Sequence, residues 1–474
     1  MLLDLERMIY CRERGGATDS AQLAMLSLTP QRGDVPDLVI DLGGDGALPA
    51  GRRVLTPLFN GIPGEIGVMA ALTEERDILI ELHDTARPDR PWTARPASQD
   101  HEVFAITLDG ALSCTVALIL KAMREECGLN AAAAAPTAAY ARFGTAASLA
   151  WASTMVAVKA LRLLGILAKG RRAWSIGWRV DGRASLLDRG EAKFRVLSGG
   201  VDSYLADPFP FQHRGRRFIF VEQYLYSQNK GCIAVLPMDE RGAAGPPKIV
   251  IEEPHHLSYP MVFEQAGQIW MIPEAGASGK VTLYRAEEFP YRWKREADLA
   301  TGVEHYDVTP LPDGSGVWFF AAQRFWQSSS WDILSIYRAD GLTGNWTPHG
   351  AGPVLFDAAM SRPAGNFIRR DGQILRPVQD CARGYGRAVT FCRIDNLDDV
   401  QFAQTAVGRI RAGSYGCHTY NRCDGIEVVD LFGRTVDSEE VAVSYVSLPA
   451  DRAVGRPAGA VLQEESHIEL TAPV

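Results

Sequence analysis

A unit of about fifty residues recurs through the second half of this chain, and no other feature narrows its folding options as much. Four copies are anchored on proline. ADPFPFQHRGRRFIFVEQ contains Pro208, SYPMVFEQAGQIWMIPEA contains Pro260, DVTPLPDGSGVWFFAAQ contains Pro310 and SRPAGNFIRRDGQILRPVQD contains Pro363, so the steps are 52, 50 and 53 residues. A fifth, weaker copy, GCHTYNRCDGIEVVDL, sets His418 55 residues beyond Pro363. Each copy reads as a strand, a polar turn with glycine (Gly215, Gly267, Gly314, Gly372, Gly425) and a return strand of aromatic and aliphatic residues. Apolar runs such as Gly231 to Leu236 and Val281 to Arg285 extend the units toward four strands. A sheet that small cannot bury both faces alone, so the copies must pack on one another and close into a ring. The expectation is a mostly β fold, a five-bladed β-propeller over residues 173–450, with Trp174 to Val180 or Val441 to Leu448 supplying the last strand.

Residues 1–130 alternate strand-like and helical runs. Leu38 to Leu42 ends at Gly43-Gly44, and Val103 to Leu108 leads into a helical stretch through Met123, which predicts a small α/β domain. The LGGDG turn has neither a Lys-Ser/Thr ending nor G-x-G-x-x-G spacing, so it is expected to be only a turn. Residues 131–145 are Ala-rich and interrupted by Pro136, as in a connector. From Ala146 to Ala168 the composition is nearly membrane-like, but Lys159 and Arg162 interrupt it after 13 apolar or small residues, short of the ~20 needed to span a bilayer. The 131–172 segment is therefore expected to be a linker and a helix docked between domains, with peripheral membrane contact through 146–172 as the second reading. Residues 451–474 read as a tail.

Composition narrows the partners. The 474 residues carry 49 Lys+Arg against 57 Asp+Glu, a net charge of −8, with no long basic run, which argues against nucleic acid. Eight cysteines without a C-x-x-C pair support neither a zinc ribbon nor a redox motif, and buried reduced thiols in the cytoplasm are expected. The start, MLLDLERMIYCRER, has no apolar core of a secretory signal.

In a propeller, the start of each first strand and the end of its return strand share one mouth. Asp207, Tyr259, Thr309 and Arg362 stand directly before the anchoring prolines, with His418 as the fifth; Glu222, Glu274, Gln323, Gln379-Asp380 and Asp430 end the return strands. A polar, carboxylate-rich mouth suits a sugar, with Tyr259, Trp270, Trp326 and Trp331 available to cover C–H faces. Paired carboxylates also allow glycosidic cleavage by one base and one acid, which makes Asp207, Glu222 and Glu274 catalytic candidates and Tyr259, Arg362, Gln379, Asp380, His418 and Asp430 binding candidates. No motif demands a cofactor. The competing reading of any single residue here is that it bonds to a neighbouring blade.

ADPFPF followed by FIFVE resembles the opening of the five-bladed furanosidase superfamily that includes glycoside hydrolase family 43. HHLSYPMVFEQAGQIWMIPE, SRPAGNFIRRDGQILRPVQDCARGYG and CHTYNRCDGIEVVD are similar to blades two, four and five of the propeller region in plant glucosamine inositolphosphorylceramide transferases and their bacterial relatives. The resemblance implies a general-base position for Asp207. It departs at blade two, where Tyr259 stands in place of a second Asp, and at blade three, where the acid Glu has no counterpart and Glu304 and Asp307 lie only nearby. In some furanosidase relatives a metal sits on the axis, which here would be held by His418 with waters. The plant enzymes carry their transferase activity in a C-terminal domain, which is not expected in a sequence ending at Val474. Bacterial members often have a formyltransferase-like region before the propeller; PDLVIDLGG, NGIPGEIG and EVFAITLDGALSCTVALILKAM resemble its second half without a recognisable Asn-His-Asp set, and His101 is expected on a surface loop. The functional expectation is a carbohydrate-active protein working on a glycan or glycoconjugate at the mouth, by hydrolysis or transfer. The alternative is a non-catalytic glycan-binding or assembly module in polysaccharide or glycolipid synthesis.

Overall fold

The computed structural model describes residues 38–43, 52–74, 76–97, 103–125, 145–169, 172–180, 184–239, 245–326, 328–434 and 436–449. The chain start, most of the LGGDG turn, His101, the Ala-rich connector and the tail after 450 lie outside the described residues.

Hairpin chemistry sets the registers. At four of the five inner hairpins, a residue with positive φ precedes a glycine with positive φ: Arg214-Gly215, Ala266-Gly267, Asp371-Gly372 and Asp424-Gly425. Two successive left-handed residues define the tight turn whose twist matches that of paired strands, and glycine occupies the second position without a Cβ penalty. The flanking pairs His213 with Arg216, Gln265 with Gln268, Arg370 with Gln373 and Cys423 with Ile426 leave two-residue loops.

The strands assemble into five blades. Blade one is Ser203–His213, Arg216–Leu225, Lys230–Met238 and Lys248–Ile251; blade two is Ser258–Gln265, Gln268–Glu274, Lys280–Glu288 and Arg292–Thr301. Blade three is His305–Pro312, Val317–Gln323, Ile333–Ala339 and a two-residue outer strand, Thr347–Pro348, with Leu355–Phe356 also paired to the third strand. Blade four is Ile368–Arg370, Gln373–Asp380, Ala388–Leu397 and Phe402–Arg411. Blade five takes its inner strands, Tyr420–Cys423 and Ile426–Gly433, from the end of the chain and its outer strands, Ala173–Val180 and Glu191–Ser198, from the start of the propeller. Glu440–Ser447 then bridges Glu191–Ser198 to blade four. The expectation of a single borrowed last strand is corrected: the fifth copy has only two strands of its own, so both expected segments are used and Glu191–Ser198 joins them.

Apolar contacts run around the whole ring. Phe209, Met261, Phe263 and Phe319 join blades one to three; Trp318 and Phe320 meet Ile374 and Phe402 between three and four; Phe391 and Leu375 meet Tyr420 and Val429 between four and five; Trp178 and Val428 meet Leu205 and Ile219 between five and one. Every interface is closed by burial, which removes the exposed sheet faces.

Ahead of the ring, Leu38–Ile40, Arg53–Phe59, Ile80–Asp84 and Trp92–Ala94 form a mixed sheet that packs with the helices Glu65–Thr73 and Phe104–Arg124. The second helix is long and apolar enough to cross a membrane, but its Leu108, Ala111, Cys114, Leu118 and Ala122 face is packed into this layer's core. That core continues into Ile333 and Phe356 of blade three. The seam is pinned by the Ala97 N–H donating to Asp332 at 3.1 Å and by Arg95 beside Asp357. The helix Thr145–Lys169 sets Trp151 against the same core and leaves Leu149, Val156, Leu161 and Leu164 exposed.

Candidate functional site: a carboxylate-lined hub

The innermost strands of blades one to three each break register near the mouth, between Ala206 and Phe209, Ser258 and Met261, and Tyr306 and Thr309. Inside these bulges Asp207, Tyr259 and Asp307 adopt left-handed backbone, with φ of 48°, 42° and 53°. Such a conformation costs a non-glycine residue about 1 kcal/mol or more and persists only where its surroundings enforce it. In blades one and two the next residue is proline, which has no N–H to lose from the ladder. In blade three the proline comes two residues later, so the counterpart of Asp207 is Asp307. The sequence alignment on Pro310 put Thr309 there instead, and the structure corrects it.

Two linked clusters fill the hub. In the first, Asp207 Oδ1 accepts the Thr419 hydroxyl at 2.7 Å, and Oδ2 accepts the Tyr259 N–H at 3.1 Å. His418 lies between two acids: its Nε2 is 3.6 Å from Asp207 Oδ1, and its Nδ1 contacts Asp430 Oδ2. Asp430 Oδ1 accepts the backbone N–H groups of His418 and Thr419 at 2.7 and 3.0 Å. Trp174 stacks on the imidazole with centroids 4.2 Å apart. None of Asp207, His418 and Asp430 is more than 4% exposed. Burial alone would lower the His418 pKa, but Asp430 and Asp207 outweigh it and raise it. Asp207 moves upward through burial, with the His418 charge and the Thr419 hydroxyl opposing. These three residues also offer metal-ligating atoms within 4.8 Å of one another. One imidazole and two carboxylates form an N,O donor set that suits a divalent cation as well as a bound proton.

The second cluster joins blades three and four. Arg362 Nε donates to Asp307 Oδ2 at 2.5 Å and Nη2 to Oδ1 at 3.3 Å, while Gln379 Nε2 donates to the same Oδ2 at 2.9 Å. Tyr385 stands 5.3 Å from the Arg362 guanidinium and 5.0 Å from the His418 ring, tying the clusters together.

The two glutamates sit at the ends of the return strands. Glu222 lies opposite Ala206, next to Asp207, and among the described residues its side-chain partners are the Tyr204 hydroxyl at 3.4 Å and His256 Nε2 at 3.5 Å from Oε1. Burial first, then the Asp207 and Glu274 charges, push its pKa well above the carboxylate range. Glu274 accepts the Ser258 hydroxyl at 2.9 Å and the Gly276 N–H at 2.5 Å, and burial with the Asp307 charge raises it to about 7.

Not every candidate faces the mouth. Tyr259 is fully buried: its hydroxyl lies 2.9 Å from Thr309 Oγ1 and accepts the Gly365 N–H at 2.9 Å, so it is a spoke across the hub. Asp380 is held by Arg409 at 2.5 Å and by the Ala382 N–H, on the flank of blade four. The expectation that Tyr259, Trp270 and Trp331 cover a ligand is corrected. Trp270 packs beside the core of blades one to three, and Trp331 is 6% exposed against Tyr385. Asp307, Thr419, Tyr204, His256 and Tyr385 belong to the site and were missed. Asp307 could have been found by allowing the anchor to slide two residues; His256 lies between repeats, where periodicity carries no signal.

Residues 193–432 match the family model described as "Glucosamine inositolphosphorylceramide transferase 1, N-terminal". The curated relative of that name from Arabidopsis thaliana is 30% identical over 235 residues, 47% of this chain and 30% of its own length. The one from Oryza sativa subsp. japonica is 28% identical over 276 residues, 52% of this chain and 36% of its own. The chain thus spans about a third of the length of these relatives. Among solved structures, an exo-1,5-alpha-L-arabinanase from a bovine ruminal metagenomic library aligns at 14% identity and TM-score 0.35, covering 56% of this chain and 99% of that one. The catalytic domain of a GH62 alpha-L-arabinofuranosidase from Coprinopsis cinerea aligns at 10% and 0.34, covering 55% and 97%. At these TM-scores the fold assignment rests on the strand order and ring closure described above. With its propeller matched almost end to end, the chain belongs to the glucosamine inositolphosphorylceramide transferase 1 N-terminal family.

Proposed function

We propose that the hub binds a glycan or glycoconjugate and acts on one of its glycosidic bonds, with Asp207 as the base and Glu222 as the acid. The observation that carries this reading is a pair of neighbouring buried carboxylates with opposite support. Burial raises both; at Asp207 the His418 charge and the Thr419 hydroxyl counter it while Asp307 and Asp430 add to it, whereas Glu222 meets the Tyr204 hydroxyl at 3.4 Å and His256 Nε2 at 3.5 Å. On this difference in bonding Asp207 is read as the base and Glu222 as the acid. As the attacking O–H, from water or an acceptor alcohol, bonds to the anomeric carbon, its proton passes to Asp207; the bond to the leaving oxygen breaks and Glu222 supplies that oxygen's proton. Asp430 holds His418, and His418 holds Asp207, in place during the exchange. The name of the plant relatives adds a glycolipid to the glycoconjugates worth testing.

Recognition without turnover is the second reading. It is favoured by how much of the hub's bonding is internal, with Asp207, Thr419, His418 and Asp430 bonded to one another. A glycoside and glycolipid screen, with calorimetric binding in parallel, separates the two. Asp207→Asn and Glu222→Gln are each expected to lower turnover by about 100-fold or more while retaining binding. Glycan binding by a wild-type chain that turns over none of the panel would establish recognition alone and end the catalytic reading.

A further inference from the structure

Internal bonds use most of the hub's polar groups. Asp207 and Asp307 each accept through both oxygens, the Thr419 and Tyr259 hydroxyls are bonded, and Gln379 donates to Asp307 and to the Pro363 carbonyl. Arg362 and Tyr385 differ. Arg362 gives Nε and Nη2 to Asp307, but among the described residues its Nη1 meets only Ser330 Oγ, at 3.5 Å, the outer limit of a hydrogen bond. The Tyr385 hydroxyl has no hydrogen-bond partner among the described residues, whereas those of Tyr204, Tyr259 and Tyr420 are bonded to Glu222, Thr309 and Glu427.

Local sequence fixes the Tyr385 ring in place. It lies in the turn between Gln373–Asp380 and Ala388–Leu397, flanked by Gly384 and Gly386 with φ of 123° and 68°. A Cβ at Gly386 would stand 2.6 Å from the Trp174 ring, so glycine is required there. The Gly386 carbonyl accepts the Cys417 N–H at 2.8 Å and ties the turn to blade five. The Tyr385 ring then stands 5.2 Å from Trp331, 5.0 Å from His418 and 5.3 Å from the Arg362 guanidinium. Tyr385 and Ser330 are only half-buried, as is Tyr306, whose ring is 5.8 Å from the same guanidinium. These three residues surround Arg362 where the hub meets solvent, on the side of blades three and four. Burial, with the Asp207, Asp307 and Glu222 charges and against that of Arg362, holds the Tyr385 pKa well above the phenol range. The hydroxyl therefore keeps its proton and can donate.

We infer that the Tyr385 hydroxyl and Arg362 Nη1 form a pair of donors that binds neighbouring oxygens of the sugar in the hub, with Tyr385 as a ligand-contacting residue. The inference deepens the proposed function and rests on it. Phenylalanine would make the same ring contacts, so packing does not explain the hydroxyl, and a partly desolvated hydroxyl without a partner is a cost to the folded state. A ligand oxygen removes that cost. Adjacent hydroxyls on a sugar ring present two acceptors side by side, which matches two donors held by neighbouring side chains.

The test combines calorimetry with thermal unfolding. Cellobiose, xylobiose, lactose and 1,5-arabinobiose are titrated into wild type and into Asp207→Asn, which blocks turnover. At least one should bind, and adding Tyr385→Phe to Asp207→Asn should weaken that sugar about tenfold. Because Phe keeps the ring contacts, the thermal midpoint of Tyr385→Phe should stay within about 1 °C of wild type. Tyr259→Phe, which strips bonds from Thr309 and Gly365, should lower it by about 3 °C or more. Unchanged sugar affinity in the Tyr385→Phe chain overturns the inference and leaves the hub reading standing. So does a midpoint that falls as far as that of Tyr259→Phe, which would show the hydroxyl to be bonded within the protein. Failure of wild type to bind any of the four sugars overturns both.

Discussion

Asp307 and Arg362 show how much of the hub depends on single charges. The pair is buried, with side chains 1% and 9% exposed, and removing Asp307 would strip the arginine of the carboxylate that accepts two of its N–H groups. Asp307→Ala is therefore expected to destabilise the protein by about 3–5 kcal/mol in urea unfolding, and Asp307→Asn by less, since Asn tolerates the left-handed backbone and can still accept from Arg362. Glu274 gives a pH signature. Its folded pKa of about 7 exceeds the unfolded value of 4.5, so the folded state binds that proton more tightly. The corresponding stability is fully present below pH 4.5 and is lost as pH rises through about 7, a change of roughly 3 kcal/mol by the free energy of one pKa unit. Urea midpoints for wild type should fall across that window, and Glu274→Gln should remove this share of the fall; an unchanged slope would mean that Glu274 titrates as an ordinary carboxylate. At this scale the sequence was informative where residue type and proline register coincide, as at Asp207. It misled where the proline moved out of the bulge, as at Asp307, because the bulge itself is set by sheet twist and neighbouring blades and not by the proline.

Elements differ in how openly the chain declares them. The inner hairpins were legible because a glycine in a short turn between apolar alternations leaves few other turns. The destination of Thr145–Lys169 was not, because its composition suits a core helix and an interfacial one equally. Its sequence carries Lys159, Arg162 and Lys169 and no acidic residue, while Leu161 and Leu164 are 68% and 60% exposed. Peripheral binding to an anionic bilayer is proposed for this helix. The protein should co-sediment with phosphatidylserine-containing vesicles and not with neutral ones, and Leu161→Glu with Leu164→Glu should reduce the bound fraction several-fold without changing the circular dichroism spectrum. Equal binding to both vesicle types, or none to either, would remove the proposal.

The ring as a whole is tied shut by strands from opposite ends of the propeller, and the tie also shapes the site. Ala173–Val180 pairs along its full length with Ile426–Gly433, and the same strand carries Trp174 onto His418. Closure and the position of the imidazole are thus one structural event, which the fifty-residue period could not reveal because the closing strands lie outside the repeat. Docking of the N-terminal layer was equally hidden: the Ala97 to Asp332 bond spans 235 residues and has no local sequence signature. Deleting residues 1–199 removes both outer strands of blade five, exposing the flank of Ile426–Gly433 and taking Trp174 from His418. That chain is expected to lose cooperative thermal unfolding. Deleting only residues 1–171 keeps the closing strands and should preserve one cooperative transition, at a lower temperature because Ile333 and Phe356 lose their cover. Unfolding followed by far-ultraviolet circular dichroism distinguishes the two, and a cooperative transition in the shorter chain would show that the ring does not depend on this closure.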